Sequence, residues 1–147
     1  MKNTLKIIAL SGLFVGALFA EEASALSVTG TVGFETEYYY RGQELADQSL
    51  QASVEASYDI YGGSAYVGAW TNMPVTTSTE NEIDLYAGFK TVVSEKYTVD
   101  AGVKYYWHPE DASAGQESTE LYAGVTYAGL YVNPAVYAFY DLDFERI

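Results

Sequence analysis

Cysteine is absent from the 147-residue chain, which excludes disulfide scaffolds, thiolate zinc sites and cysteine nucleophiles. Histidine occurs once, as His108, so no two-histidine metal motif can form. The catalytic vocabulary shrinks to carboxylates, hydroxyls and tyrosine, and neither an enzymatic activity nor a cofactor or metal is expected. Basic residues are few: 7 Lys+Arg stand against 20 Asp+Glu, a net charge of -13. With no basic cluster to oppose that field, nucleic acid is excluded as a partner. Only one long apolar run exists, Ile7 to Ala20. It falls short of the ~20 residues a membrane-spanning helix needs, so any later crossing must be made by strands. What is abundant is 15 Tyr and 13 Gly, with aromatics at 16%. This composition favours β-structure, in a chain long enough for one domain.

The start of the chain reads as a secretory signal, expected to be helical, over residues 1–25. Lys2 and Lys6 precede the apolar run, and Ala23-Ser24-Ala25 supplies a small-residue cleavage site. Cleavage is expected after Ala25, with Ala20 as the other candidate, leaving a mature domain over 26–147.

Strict alternation governs the rest. From Val28 to Arg41, Val28, Val32, Phe34, Tyr38 and Tyr40 alternate with Thr29, Thr31, Glu35, Glu37 and Arg41. An extended chain turns successive side chains to opposite sides, so this is a strand with one apolar and one charged face. The pattern recurs at 48–59, 81–90, 97–108 and 118–127. Two further strands are less clearly sided: 64–71, and 130–141 with Pro134 inside it. The expected fold is all-β, an antiparallel up-and-down meander of about seven strands. Short connections (59–63, 91–96, 128–129) alternate with generally longer ones (42–47, 72–80, 109–117), which separates a turn end from a loop end, as in outer-membrane barrels. Asp84-Leu85-Tyr86-Ala87-Gly88 and Glu120-Leu121-Tyr122-Ala123-Gly124 repeat a motif that Ala65-Tyr66-Val67-Gly68 echoes. The repeat suggests a small residue wherever neighbouring strands crowd.

A transmembrane barrel and a soluble sandwich both alternate in this way, but most of these segments reach the ~9–11 residues that a bilayer requires of a strand. Aromatics also gather at strand ends. Tyr38, Tyr40, Trp70, Tyr105 and Trp107 mark the loop end, and Phe89, Tyr97 and Tyr127 the turn end, as membrane-interface girdles would.

Five motifs, in order, resemble the Gcw_chp-type family of Gram-negative outer-membrane proteins, also called TorF-type porins. They are Thr36-Glu37-Tyr38-Tyr39-Tyr40-Arg41-Gly42, Tyr66-Val67-Gly68-Ala69-Trp70, Asp84-Leu85-Tyr86-Ala87-Gly88, Tyr105-Tyr106-Trp107-His108-Pro109 and Glu120-Leu121-Tyr122-Ala123-Gly124. The resemblance implies a β-barrel in the outer membrane, taken to be a porin, with no catalytic residues to carry over. Bacterial single-chain barrels have even strand numbers of about eight or more. Seven strands without a closing terminal aromatic therefore suggest a barrel truncated at its C-terminus.

The polar faces collect the candidate pore lining: Glu35, Glu37, Arg41, Glu55, Glu82, Asp84, Lys90, Asp100, Lys104 and Glu120. Seven acids against three bases predict a cation-preferring lumen. Arg41 is expected to pair with acids across it, and His108 to lie at the surface. The expected partners are outer-membrane lipid, small solutes or cations, and further copies joined through open sheet edges. Two alternatives stay open: a soluble exported sandwich binding carbohydrate through its tyrosines, and a purely structural barrel.

Overall fold

Where alternation is strict, one side of an extended chain can be given wholly to apolar groups, and strands follow. The computed structural model describes residues 21–23, 26–75, 81–109, 117–129 and 131–143. Every regular element among them is a strand: β1 (Glu21–Ala23), β2 (Leu26–Glu35), β3 (Tyr38–Tyr40), β4 (Gln43–Ala46), β5 (Ser49–Ile60), β6 (Gly63–Pro74), β7 (Glu82–Ser94), β8 (Tyr97–Trp107), β9 (Ser118–Tyr127) and β10 (Ala135–Asp141). Eight of them form one antiparallel sheet in the order β1-β2-β5-β6-β7-β8-β9-β10, and β3 pairs only with β4. The all-β, antiparallel meander is as expected. Among the described residues the outer sides of β1 and β10 pair with no strand, so the sheet is not closed.

Each expected strand is present, with three departures. The stretch 28–41 is not one strand: it bends at Thr36 and Glu37, and Tyr38–Tyr40 folds back on Gln43–Ala46, turning most of the expected loop 42–47 into strand. The cause is the pair Arg41-Gly42, with φ of 48° and 81°. Two left-handed residues make the tight turn whose twist matches a hairpin, and Tyr61-Gly62, at 50° and 76°, do the same between β5 and β6. The second departure is Pro134, which precedes β10; its carbonyl accepts from the Tyr127 N–H at 2.9 Å. Having no N–H, proline cannot donate into a ladder. Third, Glu21–Ala23, inside the segment expected to be removed, pairs with Leu26–Val28. Cleavage after Ala20 would keep this pairing. Residues 1–20, including the expected signal helix, lie outside the described residues.

The two faces of the sheet are unlike. Val28, Val32, Val54, Val67, Leu85, Val103, Leu121 and Val125 are all exposed on one of them, the outer face. The opposite, inner face holds the buried residues of the sheet, among them Tyr66 and Tyr106 together with Ser49, Asn72, Glu82, Asp84, Glu120 and Asp141. The sheet curls around this inner face, as a contact three strands apart shows: the hydroxyls of Tyr66 on β6 and Tyr122 on β9 lie 2.5 Å apart. The register also settles the side that the sequence left open for 64–71. Tyr66, Gly68 and Trp70 face inward opposite Ser57, Glu55 and Ser53, and Val67 faces out.

Inside this curl the repeated tyrosine-glycine motif has a packing role. Tyr66 lies opposite Gly88, Tyr86 opposite Gly68, Tyr122 opposite Gly102 and Tyr137 opposite Gly124. Each tyrosine ring covers the glycine facing it, so a Cβ there would strike the ring. At Gly88 it would also meet the Ala101 carbonyl, which cannot move aside as a side chain can. Gly88→Ala is therefore expected to lower unfolding stability by about 1 kcal/mol or more. Gly30→Ala, whose Cβ would sit 3.5 Å from the Ser53 carbonyl, is expected to cost nothing. Equal unfolding midpoints for the two variants would contradict this packing.

Candidate functional site

Three basic side chains reach the inner face among the described residues, each held between a carboxylate and an aromatic ring. Arg41, at the tip of the β3–β4 hairpin, donates from Nη1 to Glu120 Oε1 at 2.8 Å and from Nη2 to Oε2 at 2.6 Å. Its guanidinium lies 4.1 Å from the centre of the Phe139 ring and 4.7 Å from that of Tyr40. Lys104 on β8 donates to Asp84 Oδ2 on β7 at 3.0 Å and lies 5.1 Å from the Tyr106 ring. Lys90 on β7 sits 3.6 Å from Glu55 on β5 and 5.2 Å from the Tyr66 ring. Ring faces carry negative potential, so each cation meets two attractive groups at once.

Tyrosine hydroxyls tie these seats together, and their donor directions follow from proton count. Tyr106 donates to Glu120 Oε2 at 2.7 Å. Having one hydrogen to give, it must accept in its 2.6 Å contact with Tyr40. The relay therefore runs Tyr40 to Tyr106 to Glu120, with Arg41 completing the carboxylate. A second relay ends on Asp100: Tyr66 donates to Oδ1 at 2.5 Å and Tyr137 to Oδ2 at 3.0 Å. Tyr122 must then donate to Tyr66.

The hairpin that delivers Arg41 lies across the inner face. Tyr38 packs against Trp70 with ring centroids 5.5 Å apart. Burial, then the Glu82 and Asp84 carboxylates, push the Tyr38 hydroxyl far above its ordinary pKa, so it stays protonated as a donor. The hydrogen bonds from Arg41 to Glu120 raise the guanidinium's pKa above its ordinary value. A chamber of about 280 Å³ lies between hairpin and sheet, lined by Tyr38, Tyr40, Trp70, Asp84, Tyr86 and Lys104. A second, of about 300 Å³, is lined by Glu55, Tyr66, Lys90, Asp100 and Tyr122 among others.

Of the residues expected to line a lumen, Glu55, Glu82, Asp84, Lys90, Asp100, Lys104 and Glu120 share the inner face of β5 and β7 to β9, and Arg41 joins them from the hairpin. Glu35 is half-buried at the end of β2, opposite Ser49. Glu37 is not among them; it is exposed at the bend that starts the hairpin. Of the expected girdle, Phe89, Tyr97, Tyr105, Trp107 and Tyr127 lie on the outer face, with Tyr97 and Tyr127 rings 5.1 Å apart. Tyr38, Tyr40 and Trp70 instead lie inside, because the bend at 36–37 and the inward register of β6 carry them there. His108 is half-buried, with Nδ1 enclosed and unpartnered, rather than at the surface. No group of three His, Cys, Asp or Glu among the described residues could hold a metal.

Sequence reasoning did not single out Tyr66, Tyr86, Tyr106, Tyr122 and Tyr137 as part of this site. The available signal was parity, since Tyr86, Tyr106 and Tyr122 alternate in step with the acids of their own strands.

The profile of a family described as "Bacterial protein of unknown function (Gcw_chp)" matches residues 19–141. No significant match was found among curated proteins or among solved structures.

Proposed function

Because the chain belongs to the Gcw_chp family of bacterial proteins of unknown function, we propose from its own surface chemistry that it is an outer-membrane β-barrel protein, a porin-type passive channel with an acidic, cation-preferring interior. One observation carries the reading: the burial pattern is inverted. Val67, Val54, Leu85 and Leu121 are 47–58% exposed, whereas Asp84 and Glu120 are 2% and 5% exposed. Water would impose the opposite arrangement, and an apolar face this extensive needs an apolar solvent. Hydrocarbon outside and water inside account for both faces at once. The strands β5 to β9, of 10 to 13 residues each, are long enough to cross a bilayer when tilted. Outer-face aromatics at both strand ends suit its two interfaces.

In this reading export uses the N-terminal signal, and the partners are outer-membrane lipid, small cations in the interior and, along the edges of β1 and β10, further copies of the chain. We assign no catalytic step. Acids outnumber bases on the inner face, so the channel is expected to prefer cations in a planar bilayer under a KCl gradient. The preference should weaken near 1 M salt, where the Debye length falls to ~3 Å, and be partly lost in Glu82→Gln/Asp84→Asn. A reversal potential showing anion preference would contradict the proposal.

A further inference from the structure

We propose that Glu82 and Asp84 share a single proton, carried by Glu82 and donated to Asp84 Oδ1, and that its loss adds one negative charge to the inner face and raises the preference for cations. The shared proton stands on the geometry of the pair; only its effect on cations rests on the channel reading. Glu82 and Asp84 lie two residues apart on β7, so their side chains leave the same face of the strand. Both are buried, and their carboxyl groups meet within hydrogen-bonding reach. Such a contact requires a proton on one of the two, because like charges confined together in a dry site cannot both persist.

The neighbours decide which acid carries it. Asp84 Oδ2 accepts from Lys104 at 3.0 Å, the partner that an ionised carboxylate needs. Among the described residues no basic side chain pairs with Glu82. Asp84 Oδ1 is enclosed and receives no hydrogen bond from any other group, and a buried carboxylate oxygen left without a donor is costly. A protonated Glu82 supplies that donor from within the protein. The remaining hydroxyls near the pair are committed elsewhere: Tyr40 donates to Tyr106, Tyr106 to Glu120, and Tyr86 turns to Glu55. Tyr38 faces Glu82 from the hairpin. On β6, Asn72 lies opposite Glu82 and Trp70 opposite Asp84, and neither titrates. His108 also faces Asp84, and histidine is the other residue type here that titrates near neutrality. With the proton in place Asp84 and Lys104 balance; without it the site has one negative charge in excess. The chamber of about 280 Å³ beside Asp84, Tyr38 and Lys104 leaves water room to solvate that charge.

The test is infrared spectroscopy of the full chain in lipid vesicles, since a protonated carboxylic acid has a carbonyl stretch that an ionised carboxylate lacks. At about pH 6, above the ordinary glutamate range, one such band is expected. It should move when glutamate rather than aspartate carries a 13C-labelled side-chain carboxyl, be lost in Glu82→Gln, persist in His108→Gln, and vanish as the pH is raised toward about 9. Because the folded protein holds a proton that the unfolded chain releases, unfolding stability should fall as pH rises through the same change. Glu82→Gln, whose amide can still donate to Asp84, should flatten that fall. In a planar bilayer the cation preference should rise with pH as the band vanishes, and stay at its low-pH value in Glu82→Gln. Absence of a glutamate band at pH 6, or its survival in Glu82→Gln, would overturn the shared proton. A preference that stays constant while the band vanishes would overturn its effect on cations. The band in a protein that conducts no ions would keep the shared proton and refute the channel, and a cation-selective channel without the band would refute the shared proton alone.

Discussion

Val103→Arg is expected to destabilise the lipid-inserted protein by about 2–4 kcal/mol, the cost of a basic side chain on the lipid face near the bilayer midplane. Val103 lies in the middle of β8 (Tyr97–Trp107), on the outer face and 37% exposed. In a water-soluble sheet an exposed valine at such a position could become arginine within about 0.5 kcal/mol, so the two readings predict different outcomes for one substitution. The control is Thr29→Arg. Thr29 faces inward directly opposite Glu55, where a new guanidinium would meet a carboxylate, and little change is expected. Urea titration of protein folded into lipid vesicles measures both variants; equal tolerance at Val103 and Thr29 would refute the assignment of faces.

Glu120→Ala should have the second-largest effect, about 2–3 kcal/mol. It removes the acceptor for three hydrogen bonds, two from Arg41 and one from Tyr106, and leaves polar groups that were paired in a half-buried setting without an acceptor. The cost falls short of the ~3–5 kcal/mol for breaking a fully buried pair, because the Arg41 side chain is 42% exposed and can rehydrate. The loss should be local as well as global. Arg41 occupies a left-handed conformation with φ of 48°, which is uncommon for a non-glycine residue. Without Glu120 the hairpin tip should loosen, and trypsin should cut after Arg41 much faster than in the unaltered protein. Glu120→Gln, which keeps one acceptor, should fall between. A Glu120→Ala variant with unchanged unfolding and unchanged cleavage at Arg41 would mean that this pair does not hold the hairpin down.

How much was legible in advance depended on whether a feature was local. Strand positions were readable because the two-residue period is a property of the chain itself, and all seven expected segments contain strands of the structure. The side of β6 was not readable: neither Tyr66, Gly68 and Trp70 nor Ala65, Val67 and Ala69 carry a charge, so only pairing with Glu55 and Ser53 decides the side. The hairpin was invisible for a related reason. Tyr38 and Tyr40 continue the alternation of β2, but their packing partners Trp70 and Tyr106 lie far along the sequence. The one local sign was Arg41-Gly42, whose glycine permits the left-handed turn. Glu120 could be placed on a polar face, yet its pairing with Arg41, 79 residues earlier, required the sheet to curl. The glycine-tyrosine repeat was readable as crowding between strands, and the register shows which ring covers which glycine.

The inversion of the two faces is what points to lipid surroundings, and the lack of native cysteine makes it directly measurable. Single cysteines at Ala52, Val54 and Ala56, on the outer face of β5, and at Gln51, Ser53 and Ser57, on its inner face, can each carry a bimane label in vesicles containing spin-labelled lipid. Strong quenching by lipid is expected at positions 52, 54 and 56, alternating with little quenching at 51, 53 and 57. Quenching that is absent throughout, or that fails to alternate along the strand, would contradict it.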